Sequence, residues 1–153
     1  MAASITLYDN VTKRMLDQTA LLNPANTFKW TLHTSSYTFS AAHSVYADLT
    51  NELATSGTGY TNGGLAISGT AVSTVTTNDS KFTFTSPVWT ASGGSIPAFR
   101  CAILRAVGTL NSLVDPLLCY VLGDTTPADI PATTDGNTLT LTVNASGLIT
   151  FTY

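Results

Sequence analysis

Between Thr27 and Thr34 the chain alternates, with Phe28, Trp30 and Leu32 on one side and Lys29, Thr31 and His33 on the other. A period of two places successive side chains on opposite faces, so the stretch predicts a strand with one buried and one polar face. The same period returns at Lys81 to Thr85, at Leu139, Leu141 and Val143, and at Ile149, Phe151 and Tyr153, with Asn-Ala-Ser-Gly joining the last two runs. Ala98 to Val107 and Leu117 to Leu122 are more continuously apolar, as buried strands are, and Asn111 to Asp115 supplies the turn between them. Leu65 to Val75 reads as a strand bent at Gly69.

Helical spacing is best developed at Asp9 to Leu22, where Val11, Met15 and Leu22 fall roughly on one side and Asn23-Pro24 stops the run. Ser44 to Ala54 is left open between a short helix and an ordered loop. Strands at spacings of roughly 8–12 residues with turn residues between them predict a mainly β, single-domain antiparallel β-sandwich or barrel-like fold with one short N-terminal helix. With no repeat or long linker, residues 1–153 are read as one domain.

Composition adds an unusual surface. Charged residues make up 10% of the chain, against 28 Thr and 14 Ser, so hydroxyls supply the polarity that charges normally would. Thr is β-branched and suits a pleated sheet. A surface with few charges repels its copies weakly, which favours assembly. The six basic residues are scattered and the net charge is −3, so no phosphate-binding patch forms and nucleic acid is not an expected partner. No apolar run approaches the roughly 20 residues of a membrane helix, and the first residues lack the pattern of a secretion signal. Cys101 and Cys119 sit in apolar strand-like runs and read as buried free thiols, with a disulfide between neighbouring strands as the alternative. Asn10, Asn78 and Asn144 match the N-x-S/T pattern, which chance explains in so Thr-rich a chain.

Candidate chemistry was sought first in "GTGYTNGGLAIS", Gly57 to Ser68. A dinucleotide loop needs a third glycine where Asn62 stands, and a helix opening behind it; a P-loop needs a Gly-Lys pair that is absent. The stretch is therefore a bend whose glycines supply left-handed backbone. Ser36, His43 and Asp48 can be drawn as a triad, but no G-x-S-x-G elbow accompanies them. His33 belongs to the polar side of its strand, where an exposed or a satisfied histidine is expected. Glu52 is the one glutamate, so paired carboxylates for glycoside hydrolysis are poorly supplied. Asp124, Asp129 and Asp135 share a Pro-rich loop, yet their spacing matches no EF-hand. No catalytic residue, metal or cofactor is assigned. Trp30, Phe82, Phe84 and Phe99 read as core, whereas Tyr37 and Tyr60, in irregular segments, read as contact candidates.

The stretch "FKWTLHTSSYTFSAAHSVYADLTNELATSGTGYTNGGLAISG" resembles a family of small virion proteins of tailed bacteriophages. The likeness rests on Leu32, Thr34, Ser35, Ser36, Tyr37 and Thr38, then on the acidic Glu52, then on Gly59 to Gly64. Trp89, "FRCAILRA", "PLLCYVLGD" and a closing strand after Gly147 follow in the same order. The chain departs from the pattern at Trp30, where an aliphatic residue is usual, and at "PAFRCAI". The resemblance implies a non-enzymatic structural protein made in the bacterial cytoplasm, most closely a capsid decoration (cement) protein on the virion surface. Its implied partners are the major capsid protein and neighbouring copies of itself, as a homo-oligomer. The loops carrying Ser35, Ser36, Tyr37 and Thr38 and Gly59, Tyr60, Thr61 and Asn62 are the candidate contact surfaces. Alternatives are a tail, baseplate or fibre component, or a glycan-binding adhesin that stacks sugars on Tyr37 and Tyr60.

Overall fold

The structure, a computed structural model, describes residues 4–16, 21–54, 59–76, 79–123, 128–144 and 147–152. Gly57, Asn78, Asp124, Pro127 and Tyr153 lie outside the described residues. In chain order the elements are β1 (Ser4–Leu7), α1 (Asp9–Leu16), β2 (Phe28–His33), a 3-10 turn (Tyr46–Asp48), β3 (Leu65–Ala66), β4 (Ala71–Thr76), β5 (Asp79–Thr83) and β6 (Val88–Thr90). Then come β7 (Cys101–Ala106), β8 (Thr109–Leu110), β9 (Leu113–Val114), β10 (Leu117–Leu122), β11 (Thr138–Thr140) and β12 (Ile149–Thr152). The fold is mainly β with one short helix, and the paired strands are antiparallel.

The main sheet has the order β1-β10-β7-β2-β3. Its register sorts the side chains into two faces, because directly paired residues point the same way. One face carries Phe28, Trp30 and Leu32 opposite Ala106, Leu104 and Ala102, continued by Cys119 and Val121 and by Leu7 and Ile5. The sheet β12-β5-β4 packs here, with Phe82 edge-on to Phe28 at 5.3 Å and Phe84 at 6.2 Å from Trp30. The other face carries Lys29, Thr31 and His33 opposite Arg105, Ile103 and Cys101, continued by Tyr120.

This second face is not the solvated one its polarity implies. Thr31, His33 and Arg105 are all buried. The segment between β2 and β3 lies over them, and Tyr37, Phe39 and Tyr8 close the layer with Tyr120 through tilted ring contacts of 4.8 to 6.2 Å. Both faces of the central strands are thus covered, and β7 is buried at every position.

Two expectations are corrected. The helix reaches Leu16, not Leu22, in the described residues: Leu21 and Leu22 form a turn. A continuing helix would give the Leu21 carbonyl to the Ala25 N–H, but Asn23 Oδ1 accepts from that N–H at 2.9 Å and Asn26 Nδ2 takes the carbonyl at 3.2 Å. The run from Leu65 to Val75 is two strands in different sheets, divided at Gly69 with φ +65°. Of the last two alternating runs, β11 joins β6 and β12 joins β5.

Cys101 and Cys119 are free and buried. Cys101 stands opposite Leu122 and Cys119 opposite Leu104, on opposite faces of the sheet, so their Cβ vectors diverge and no disulfide bridges them. Burial pushes both thiols up to about 12.

Candidate functional site

The glycine bend and the 3-10 turn meet at Glu52. Its backbone is placed by a bridge to His33 at the end of β2, and the Leu53 N–H donates to the Leu32 carbonyl at 2.9 Å. Three donors converge on the carboxylate. Oε1 accepts from the Tyr60 hydroxyl at 2.6 Å and from the Gly63 N–H at 2.7 Å, and Oε2 accepts from the Tyr46 hydroxyl. Tyr60 also uses its hydroxyl oxygen to accept the Leu32 N–H at 3.0 Å. One carboxylate therefore ties the end of β2, the 3-10 turn and the glycine bend into a unit.

Arg105 completes it from β7. Its Nη2 donates to the Gly63 carbonyl at 3.0 Å, and its guanidinium lies 4.1 Å from the centre of the Tyr46 ring. Nη1 is 3.0 Å from Asp115 Oδ2, an ion pair not aligned as a hydrogen bond. Asp115 in turn accepts the Gly108 N–H at 2.6 Å, which fixes the base of the β8–β9 hairpin. Tyr46 is pushed up to about 12, first by burial and then by its bond to Glu52, and Tyr60 is raised for the same two reasons. Both phenols stay protonated donors throughout the neutral range.

The glycine bend is set by close approach. Gly59, Gly63 and Gly64 have φ of +91°, +91° and +82°. A Cβ on Gly59 would stand 1.9 Å from the Thr90 carbonyl oxygen, and one on Gly64 would stand 2.1 Å from that of Trp30. The Gly63 N–H, the sort of donor that cradles phosphate elsewhere, is held by Glu52, and β3 rather than a helix follows.

His33 sits between the loops. Its Nδ1 lies 2.9 Å from the Thr50 carbonyl and its Nε2 2.9 Å from Thr31 Oγ1, so the neutral ring donates through Nδ1. Burial lowers its pKa, opposed by the Thr50 carbonyl and by Glu52. A chain of hydroxyls lies alongside: Tyr8 to Tyr37 at 3.1 Å, and Tyr37 to His43 Nδ1 at 3.1 Å.

The structure divides the sequence candidates. Ser35, Ser36 and Thr38 are exposed in one loop, and Gly59, Thr61 and Asn62 in the other. Tyr37 and Tyr60 are buried, with 8% and 1% of their surface accessible. They are corrected from contact platforms to core: their rings fill the layer over β2 and their hydroxyls are engaged within the chain. Of the two outcomes expected for His33, an exposed or a satisfied ring, the structure shows the second: it is buried and bonded at both nitrogens. Ser36, His43 and Asp48 do not build a triad: His43 faces Tyr37, and Asp48 accepts the Ser44 and Val45 N–H groups at 2.8 and 3.0 Å. Asp129 pairs with Arg100 at 2.6 Å, and among the described residues no group of three His, Cys, Asp or Glu side chains gathers as a metal site. Glu52 as an organising residue, and Arg105 beside it, were not singled out by composition; the motif order, with its acidic residue between two loops, was the available signal. No protein-family model, curated protein or solved structure matches this chain.

Proposed function

We propose that this chain is a structural protein of a tailed-bacteriophage particle, bound as a decoration protein to the outer surface of the capsid shell. One observation carries the reading beyond the resemblance in residues. Glu52 ties the glycine bend to the end of β2, and its neighbour Asn51 holds the Ser36 carbonyl of the other motif loop at 3.1 Å, so both loops are anchored on adjacent residues and present uncharged, hydroxyl-bearing tips. Preorganised tips lose little entropy on docking, and repetition over a symmetric lattice multiplies modest contacts into avidity. Ser35, Ser36, Thr38, Thr61 and Asn62 are the proposed contacts with the major capsid protein or with neighbouring copies. The adhesin alternative loses its sugar platforms, because Tyr37 and Tyr60 are interior. A tail or fibre location is separated by stoichiometry. Quantitative mass spectrometry of purified virions is expected to find this chain in hundreds of copies, commensurate with the major capsid protein. A dozen copies or fewer would overturn the decoration reading.

A further inference from the structure

We infer that Asn62 is a self-modification site, an asparagine that converts to aspartate and isoaspartate through a cyclic imide, and that Glu52 holds this reaction shut in the folded chain. Asn62-Gly63 is the one Asn-Gly pair in the sequence. Glycine on the C-terminal side leaves the attacking nitrogen with no Cβ beside it, so the ring closes with least hindrance there. Asn62 is exposed, and water is the only reagent the reaction needs. The Gly63 nitrogen gives its proton to solvent base and bonds to Asn62 Cγ. The Cγ–Nδ2 bond breaks and that nitrogen leaves as ammonia. Water then opens the imide at either carbonyl, so one water is consumed for each ammonia released.

The geometry of the ring supplies the gate. An imide nitrogen is planar, as a peptide nitrogen is, so the new N–Cγ bond must lie where the N–H bond lay. In the fold that direction is filled. The Gly63 N–H donates to Glu52 Oε1 at 2.7 Å, which leaves no room for a carbon. The rest of the turn keeps the nitrogen in place. The Gly63 carbonyl accepts from Arg105 Nη2 at 3.0 Å, and the Gly64 N–H donates to the Thr61 carbonyl at 3.0 Å. Gly64 itself is pressed against the Trp30 carbonyl. Ring closure therefore waits until the bend comes away from Glu52. The product puts a carboxylate on an otherwise uncharged loop tip. The site requires nothing from the capsid reading, so the purified chain alone tests it.

The experiment follows conversion of Asn62 by peptide mass spectrometry in mildly alkaline buffer, with the chain native or unfolded in guanidinium chloride. The unfolded chain is expected to convert at Asn62. Native wild type is expected to convert more than about tenfold more slowly, because only the fraction with the bend open reacts. Glu52→Gln, folded by circular dichroism, holds the N–H through a neutral amide. It is expected to convert about fivefold faster than native wild type, and at the wild-type rate when unfolded. Hydrogen exchange at the Gly63 amide reads the same opening without a substitution, is expected to show protection, and decides alone if Glu52→Gln does not fold. No conversion at Asn62 in the unfolded chain would overturn the site. Equal native and unfolded rates, an unprotected Gly63 amide, or an unchanged native rate in folded Glu52→Gln would overturn the gate.

Discussion

Glu52 shows how much one side chain holds. Tyr46, Tyr60 and the Gly63 N–H all depend on its carboxylate, and hydrogen bonds to charged groups contribute more than neutral ones. Glu52→Gln keeps the volume but removes the charge and replaces one acceptor oxygen by a donor facing a phenol. It is expected to lower unfolding stability by about 2 kcal/mol in urea titrations. Tyr60→Phe leaves the Leu32 N–H without its acceptor and is expected to cost about 1–3 kcal/mol. His33 gives a pH signature of determined sign. Its folded pKa lies below the usual 6.5, chiefly through burial, so the unfolded chain takes up the proton first as pH falls. Stability is complete above about pH 6.5 and declines below it, with a slope of at most about 1.4 kcal/mol per pH unit. Urea midpoints between pH 7.5 and 5 are expected to show this decline in wild type and a flatter profile in His33→Gln. Alternation placed His33 on the polar side and left open whether it is exposed or satisfied, and its sequence neighbours do not say which. What covers that side comes from residues 34–64, and their path is a tertiary matter.

At the scale of elements, the glycine bend and the main sheet fix each other. Gly64 has left-handed backbone and no room for a Cβ beside the Trp30 carbonyl, whereas Gly136, at φ +81°, has nothing within 4 Å. The pair separates conformational strain from collision. Gly136→Ala is expected to cost about 1–2 kcal/mol from the left-handed conformation alone. Gly64→Ala must also displace β2 from β3 and is expected to lose more than 3 kcal/mol or fail to accumulate as folded protein, as read by urea midpoint and soluble yield. The strands themselves were readable where alternation or continuous apolarity was strong: β2, β7 and β10 fall inside the runs that predict them, and β5 overlaps its run over residues 81–83. The helix end and the partners of β11 and β12 were not, for different reasons. Leu21 is buried in a turn held by Asn26 Nδ2 on its carbonyl and by Asn23 Oδ1 on the Ala25 N–H, bonds that hydrophobic spacing does not encode. The choice of partner for a closing strand depends on which sheet edge is free, and that is decided far away in sequence.

For the whole molecule, covering both faces of β2, β7 and β10 requires segments from all parts of the chain. β1 pairs with β10 from Ser4↔Leu122 onward, and β2 pairs with β7 from Phe28↔Ala106 onward. Such distant pairings pay loop entropy before they gain contacts, so refolding followed by stopped-flow fluorescence is expected in milliseconds to seconds rather than microseconds. The paired Ser36→Arg and Thr61→Arg substitutions test the proposed outer surface. Both sites are exposed, so melting is expected to move by less than about 0.5 kcal/mol equivalent, while sedimentation with capsids lacking the protein is expected to be lost. Unchanged co-sedimentation would place the contact elsewhere on the molecule.

The amino-acid sequence by itself determined the β character of the chain, its central apolar strands, the turn chemistry of Gly59 to Gly64 and the scarcity of surface charge. These follow from local physics: side-chain period, β-branching, and the access of glycine to left-handed backbone. Only the tertiary structure decided that the polar side of β2 is interior, that Tyr37 and Tyr60 are core, and that Glu52 joins the glycine bend to the 3-10 turn. A polar face can be buried once its hydrogen bonds are met, and here the acceptors are the Thr50 carbonyl for His33, the Ile103 carbonyl for Thr31 and the Gly63 carbonyl for Arg105. "GTGYTNGG" could be recognised as a bend from its residues. That its Gly63 N–H is answered by a glutamate of this chain is a fact of the fold.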